Sequence, residues 1–390
     1  MVLLCGPLAH AQHDQNGTWC FDKVDSMTIT PLMAFRELAK QGEIRLIEQT
    51  GKHWSREVSP SNIASLTRLA RQADVVLYFG GEESILSGEA RCRAHLNLPG
   101  DQSAQLRALK ATGKPVVLTV MAGRPLCIGD DIAAVDACLY AFHGGTMQGP
   151  ALANLIMGKV APSGRLPITF PNAEGQIPLY YNKKNTGRPT DHPMLIDDIP
   201  VGAGQFSIGE SSYWLEYGDQ PLYPFGYGLS YTKFQIDFDG AEQTDDNVTV
   251  KCTVKNISEY AGKEVVQVYF SDRIATVSRP LKELVAFKKT KLLEPDEEVT
   301  VKVSVAGANN SALKKQCETQ GKKAAIKKYL VKTGNTKITD KVIDEAMSSY
   351  AKFIEDIEAD CFIILLQSRN LMGLTSVYIC PVPRHILNIS

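Results

Sequence analysis

A short strand-like segment at residues 74–79 limits most strongly what this chain can fold into. It reads DVVLYF, an aspartate followed by an unbroken apolar run, and a helical pattern lies on either side of it. An apolar run between two helices is typical of a parallel strand that is buried on both faces of a sheet. Two glycines follow at positions 80 and 81, so the next loop should lie at the carboxyl edge of that sheet. In open α/β sheets, this edge is where ligands bind.

The alternation of strand-like and helical segments continues across the first 172 residues. Apolar residues recur at helical spacing in four segments, which are 31–41, 59–70, 102–111 and 147–157. Short apolar or alternating runs predict five strands, which are 2–5, 43–48, 74–79, 116–121 and 137–142. This order predicts a mostly parallel sheet with helices on both faces, so we expect an α/β/α sandwich domain over residues 1–172.

The loop after the central strand is rich in carboxylates. Glu82, Glu83 and Glu89 lie close together in the chain, and Arg91 and Arg93 follow the last of them. A carboxylate on a loop beside guanidinium groups can donate or accept a proton during catalysis. The alternative is a solvated acidic loop without chemistry, because charged clusters are often structural.

A second candidate, HGGT at residues 143–146, follows a predicted strand and opens a helix. Backbone N–H groups at such a place can hold an anion. The segment is neither a dinucleotide fingerprint nor a phosphate loop, so a tight turn that needs glycine is the alternative.

A third candidate lies near the N-terminus, where His10, His13 and Asp14 cluster near Trp19. Their spacing fits no standard ligand motif, so we expect no metal ion there and no cofactor in the protein. The indole of Trp19 could stack on a sugar ring, or it could anchor packing.

The pattern changes beyond residue 172. Residues 173–232 are rich in Gly, Pro, Asn and Asp and are predicted to form a connecting segment over the surface. Three later runs alternate apolar and polar residues, at 247–256, 265–270 and 299–305. Short alternating strands separated by turns predict a β-sandwich over residues 233–306.

The last segment, residues 307–390, is Lys-rich and is predicted to be partly helical, at 312–330 and 341–357. Its apolar run FIILL at 362–366 is far shorter than the roughly 20 residues that span a bilayer, so we expect no membrane insertion. A net charge of −1 does not favour nucleic acid as a partner. Nine scattered cysteines without a CxxC pair argue against a zinc site and a dense disulfide framework.

Three motifs stand in a fixed order along the chain, and together they carry a family resemblance. They are SGEARCR at 87–93, GRLPITFP at 164–171 and YPFGYGLSY at 223–231. The first of them continues into a longer similar stretch that ends with GRPL at 123–126. This set resembles the second domain of family-3 glycoside hydrolases, the β-glucosidase and β-xylosidase group. RPLKEL at 279–284 similarly resembles that family's fibronectin-type-III-like domain, so the likeness covers roughly residues 1–305.

The resemblance implies a retaining glycosidase mechanism, with Glu89 as the acid/base residue. Arg91, Arg93 and Trp19 are candidates for contact with a β-glucoside substrate. In the family the nucleophile is an aspartate on a preceding (β/α)8 barrel, and no residue here matches it. We therefore expect this chain alone to hydrolyse little or nothing unless a barrel is supplied in cis or in trans. Residues 307–390 resemble no part of the family and are expected to be foreign to it.

Two other readings stay open at this point. One is a non-catalytic carbohydrate-binding or partner module that kept the fold of the family. The other is an unrelated nucleotide-binding α/β protein. The compartment is not fixed by the sequence: relatives are often periplasmic or secreted, but no signal peptide is evident at the N-terminus.

Overall fold

The computed structural model describes residues 1–49, 54–184, 188, 190, 192–243, 247–271, 278–306, 364–369 and 374–379. The first part is a five-stranded parallel sheet in the order β2-β1-β3-β4-β5. Its strands are β1 (Val2–Cys5), β2 (Leu46–Gln49), β3 (Val75–Gly81), β4 (Val116–Met121) and β5 (Ala137–Tyr140). Its helices are α1 (Pro31–Lys40), α2 (Pro60–Ala70), α3 (Gln102–Lys110), α4 (Gly129–Ala133) and α5 (Gln148–Ile156).

Strand β3 lies at the centre of the sheet and is buried on both faces. Val76 and Tyr78 point into one core, which α2 and α3 cover. Leu77 and Phe79 point into the other core, which α1 and α5 cover. The alternation arises because successive side chains of a strand point to opposite faces. The predicted α/β sandwich with helices on both faces is therefore confirmed.

Two of the helices, α1 and α2, begin where their sequences place N-caps. The Thr30 side chain accepts a hydrogen bond from the Met33 N–H, and Pro31 opens α1. Ser59 caps α2 in the same way, again with a proline at the first turn. Such caps satisfy N–H groups that have no partner within the helix.

The predicted boundaries of three strands differ from those observed. The fifth strand was expected to reach residue 142 but ends at Tyr140, because Phe142 adopts a φ of +52°, which a strand cannot accommodate. The second strand begins at Leu46 rather than at 43. The central strand extends two residues further than expected, through both glycines.

The second part of the chain consists of antiparallel strands. A three-stranded sheet has the order β10-β7-β6, and β8 pairs with β9. The strands are β6 (Phe234–Gln243), β7 (Asn247–Asn256), β8 (Val265–Phe270), β9 (Glu283–Lys289) and β10 (Glu298–Ala306). Val250, Cys252 and Val254 of β7 meet Val266 and Val268 of β8 in one apolar core. The two sheets thus form the predicted β-sandwich.

The segment between the two parts contains the aromatic run at 223–231. Tyr223 stacks on Tyr227, and Phe225 stacks on Tyr181. The run is also tied to the second family motif, since the Leu166 N–H donates to the Tyr227 carbonyl at 2.7 Å. The aromatic run is therefore packed against itself, against Tyr181 and against the second family motif.

In the tail, two strands are described, β11 (Ile364–Arg369) and β12 (Leu374–Ile379), which pair in antiparallel fashion. The helices predicted at 312–330 and 341–357 lie outside the described residues. Within the described ranges, no helix has both the length and the apolar character needed to cross a membrane.

Candidate functional site

The candidate site begins where β3 ends, at the carboxyl edge of the sheet. Gly81 has a φ of +132°, and a Cβ there would lie 1.9 Å from the Met121 carbonyl oxygen, so only glycine fits. The Gln102 side chain accepts from the Gly81 N–H at 2.8 Å and donates to the Gly81 carbonyl at 2.9 Å. The strand end is therefore fixed before the acidic loop starts.

Glu82, the first carboxylate of the loop, is fully buried. Its Oε1 accepts from Arg93 Nη1 at 2.5 Å, and its Oε2 accepts from Arg124 Nε at 3.2 Å. Each oxygen thus has its own guanidinium partner, and these two ion pairs compensate for the burial of the carboxylate. Glu82 is a structural anchor and cannot reach a substrate.

Glu83, the second carboxylate, is 6% exposed. Its Oε2 accepts from Arg56 Nε at 3.0 Å and from Arg56 Nη2 at 2.8 Å. Its Oε1 is buried and accepts no hydrogen bond from any residue that the structure describes. The adjacent Ser84 is held by Asp14, which accepts from its N–H at 2.8 Å and from its hydroxyl at 3.0 Å.

Glu89, the third carboxylate, is exposed at the surface of the loop. It lies between two residues with left-handed backbone, Gly88 with a φ of +112° and Ala90 with a φ of +58°. Thr18 fixes the approach to this turn by donating to the carbonyl of Ser87 at 2.6 Å. Of the three glutamates that the sequence groups together, Glu89 is therefore the one that can meet a substrate.

The two predicted arginines have different surroundings. Arg91 is exposed, and its Nη1 lies 3.5 Å from the carbonyl oxygens of Glu89 and Ala90. Arg93 is turned inward to Glu82 and also donates to the Asn97 carbonyl at 3.2 Å. Arg124, which sequence reasoning missed as a site residue, donates to the carbonyls of Leu86 and Arg91. The only sequence signal for it was its place in the GRPL motif.

Trp19 is 59% exposed and contacts the ring of Phe21 edge-on at 6.0 Å. Phe21, Val24 and Met27 are also largely exposed, so a small apolar surface lies on the segment next to Thr18. We call these four residues the Trp19 surface. Because Trp19 is not enclosed by a core, its packing role within the described chain is limited to this surface.

The other predicted clusters have local partners. His10 shares a hydrogen bond with Thr30, and His13 with Asp25. Asp14 is occupied by Ser84, so the three residues do not converge on one point. Among the described residues, no group of three or more His, Cys, Asp or Glu side chains is arranged to hold a metal ion.

His143 lies beneath the acidic loop rather than in an anion site. A Cβ on Gly123 would lie 3.1 Å from His143 Nε2 and 2.0 Å from Ser87 Oγ, so these groups surround one point. Both ring nitrogens are buried, and neither makes a hydrogen bond of ordinary geometry with a described residue, although the Asp14 backbone lies near the ring. Burial lowers the pKa of His143, although the nearby carboxylates of Glu82 and Asp14 oppose the shift.

Comparison with known proteins gives two domain matches. Residues 1–231 match the glycosyl hydrolase family 3 C-terminal domain. Residues 264–316 match a fibronectin type III-like domain. The first match includes residues 173–231, which the sequence predicts as a connecting segment.

Individual relatives agree with these matches. The chain is 35% identical over 323 residues to the periplasmic β-glucosidase of Salmonella typhimurium, an alignment that covers 77% of this chain and 40% of the relative. It is 34% identical over 312 residues to a β-xylosidase of Formosa agariphila, again covering 77% and 40%. The chain thus spans about two fifths of the length of these relatives.

The fold is also similar to solved structures. The β-glucosidase of Listeria innocua in complex with isofagomine superimposes with a TM-score of 0.68 at 34% identity. The superposition covers 78% of this chain and 40% of that one.

Proposed function

The chain belongs to glycosyl hydrolase family 3, and from this premise we propose that it is the C-terminal part of a β-glucosidase-like enzyme. The proposed reaction is the hydrolysis of O-glycosidic bonds of β-glucosides with retention of configuration. The observation that carries the proposal is Glu89, an exposed carboxylate on a well-held turn at the carboxyl edge of the sheet. That turn lies within the residues that match the family domain.

Glu89 is proposed to act as the acid/base residue. In its protonated form it would donate a proton to the glycosidic oxygen as the bond to the anomeric carbon breaks. In the second step its carboxylate would accept a proton from the water that attacks the glycosyl-enzyme intermediate. Retaining enzymes place the two carboxyl groups about 5–5.5 Å apart, so the attacking group must approach Glu89 closely.

The attacking group is proposed to come from a (β/α)8 barrel supplied in cis or in trans. The relatives are longer than this chain, which spans about two fifths of them. The Trp19 surface is next to the segment that holds the Glu89 turn, and its largely exposed apolar side chains suit contact with a second domain. A barrel closing there would bring its aspartate towards Glu89.

The substrate-binding residues are proposed at the same edge. Arg91 is exposed beside Glu89 and has donors that suit sugar hydroxyl groups. Trp19 presents an indole face that can stack on a sugar ring. Arg93, which is occupied by Glu82, is proposed to act through the loop rather than by direct contact.

The test is hydrolysis of aryl β-glucosides by the purified chain, with and without the barrel domain of a relative. We expect activity only with the barrel, and Glu89→Gln should lower it at least about 100-fold for poor leaving groups. The loss should be smaller for good leaving groups, which need less protonation. Glu259→Gln, an exposed glutamate in the sandwich, is the matched control and should keep full activity.

Two results would contradict the proposal. Substantial turnover by the chain alone would show that it needs no barrel. Equal loss for all leaving groups in Glu89→Gln would exclude the acid role. Sugar binding without turnover in any combination would instead support a non-catalytic carbohydrate-binding module.

A further inference from the structure

One side chain holds both ends of the turn that carries Glu89. The guanidinium of Arg124 donates through Nη2 to the carbonyl of Leu86, before Glu89, and at 2.8 Å to the carbonyl of Arg91, after it. Its Nε donates to the buried Glu82. A planar guanidinium with donors in a fixed fork is suited to such a three-way contact, which a single ammonium group cannot reproduce.

Glu82 supplies the fixed point for this arrangement. It has no exposed surface, and its own N–H donates to the Met121 carbonyl of β4 at 2.9 Å. Its second oxygen holds Arg93, which reaches the Asn97 carbonyl further along the same loop. The loop is therefore tied through two arginines to one carboxylate at the rigid end of the sheet. Charge-assisted hydrogen bonds of this kind are about twice as strong as neutral ones.

The turn needs this support because its backbone is strained. Ala90 has a φ of +58°, in the left-handed region that residues other than glycine seldom adopt. A strained residue keeps its conformation only where the surrounding contacts determine it. Ala90 lies between Glu89 and Arg91, whose carbonyl Arg124 holds.

We propose that Arg124, anchored by Glu82, is a positioning residue that fixes the backbone from which Glu89 projects. Only the acid/base role of Glu89 rests on the function proposed above, because the contacts themselves belong to this chain. Tyr140 at the end of β5 supports the arrangement by donating to the Arg124 carbonyl at 2.5 Å. Arg124 does not touch the substrate in this proposal and acts through the turn.

Hydrogen exchange of the full chain tests the proposal without any need for activity. Three amides report on the turn, since those of Leu86, Ser87 and Arg91 donate to carbonyls within the loop. In Arg124→Met their exchange should accelerate about tenfold or more, because two hydrogen bonds to the loop are lost. The amides of β3 and β4 should stay within about twofold of the wild-type rate.

Arg56→Met is the matched control. Arg56 also pairs with a buried carboxylate at this edge of the sheet, but both of its described hydrogen bonds go to the Glu83 side chain rather than to a carbonyl of the loop. The Arg91 amide is the one compared, because the Leu86 amide donates to the carbonyl of Glu83 itself, and loss of Arg56 should leave it within about twofold of the wild-type rate. Loop exchange that is unchanged in Arg124→Met, or accelerated equally in β3 and β4, would overturn the proposal.

Arg124→Lys covers the case in which Arg124→Met does not fold. The lysine keeps a positive charge beside Glu82 but cannot hold both carbonyls, so loop exchange should rise about threefold or more. Wild-type loop exchange in Arg124→Lys would overturn the proposal. This outcome is distinct from failure of the acid role of Glu89, which only the leaving-group assay reports.

Discussion

Glutamates that look alike in the sequence meet three different environments at the edge of the sheet. Glu82 is buried between two arginines, Glu83 is buried against Arg56, and Glu89 is exposed. The spacing of the residues could not separate them, because burial depends on which carbonyls and side chains the folded loop brings near. The family resemblance selected Glu89, and its role stays a prediction. The contacts of Arg124 with Glu82 and Leu86 could not be predicted from the sequence, since both residues lie about 40 positions away in the chain.

Gly123 provides a test of how tightly the loop that carries Glu89 is packed against the residues after β4. A Cβ at this position would lie 2.0 Å from Ser87 Oγ and 2.8 Å from Ser87 Cβ. Gly123→Ala should therefore lower the free energy of unfolding by about 1–3 kcal/mol and displace the Glu89 turn. Urea unfolding of the chain measures the first effect.

Ser87→Gly in the Gly123→Ala background is the matching control, because it removes both atoms of the clash. We expect the double variant to recover most of the lost stability. Equal stability of the single and double variants would mean that Ser87 is not the obstacle.

His143 should make the stability of the chain depend on pH. Burial lowers its pKa below the usual value of 6.5, so the unfolded chain takes up a proton first as the pH falls. With respect to His143, the free energy of unfolding should be highest above about pH 6.5 and should decrease as the pH falls below it. The decrease should stop once the pH is below the lowered pKa of the folded state. His10, whose pKa is also lowered by burial, acts in the same direction.

Urea unfolding between pH 7.5 and pH 5 measures this dependence. His143→Gln should flatten the curve, because it removes the group whose pKa burial lowers. An identical slope in His143→Gln and the wild type would contradict the assignment.

At the scale of elements, the sequence predicted most of the order and type of helices and strands. Thr30, Ser59 and the prolines after them marked two helix starts correctly, since capping is a local interaction. Strand ends were predicted less well, because they depend on backbone angles such as that of Phe142 and on partners such as Gln102. The short α4 was missed, as its five residues carry no periodic signal.

Buried and partly exposed side chains alternate along β7, which predicts that substitutions on its two faces differ in their effect on stability. Val254 is fully buried among the valines of the facing strands, so Val254→Ala should cost about 2 kcal/mol of unfolding free energy. Lys255→Ala, one position further on the other face, should stay within about 0.5 kcal/mol of the wild type. Chemical unfolding measures both, and similar losses would show that β7 does not present one buried face.

At the scale of the whole molecule, the aromatic run and the GRLP motif meet the sandwich at one joint. Arg165 pairs with Glu264, and both side chains are less than 15% exposed. Gln267 of β8 donates to the Gly226 carbonyl at 3.0 Å, which ties the aromatic run to the same strand. The sequence indicated two motifs and a sandwich, but it could not indicate this joint, because Arg165 and Glu264 are 99 positions apart and Gly226 and Gln267 are 41 apart. The domain bounds of 1–172 for the sheet domain and 233–306 for the sandwich stay a prediction.

Arg165→Met should destabilise the chain by about 3 kcal/mol, because it leaves the carboxylate of Glu264 without its cation in a poorly hydrated place. Lys159→Met removes an ion pair with Glu43 that is largely exposed, and should cost no more than about 1 kcal/mol. Urea unfolding compares the two variants. A loss no greater in Arg165→Met than in Lys159→Met would mean that the joint carries little of the stability.

The attachment of the Glu89 turn to the sheet has a consequence for how such enzymes diversify. In the roles proposed above, Glu82 and Arg124, both within this polypeptide, set the direction in which Glu89 points. A different companion domain could then be joined to it without retuning that direction. Sugar preference could then change with the companion domain, while the part that delivers the proton stays the same.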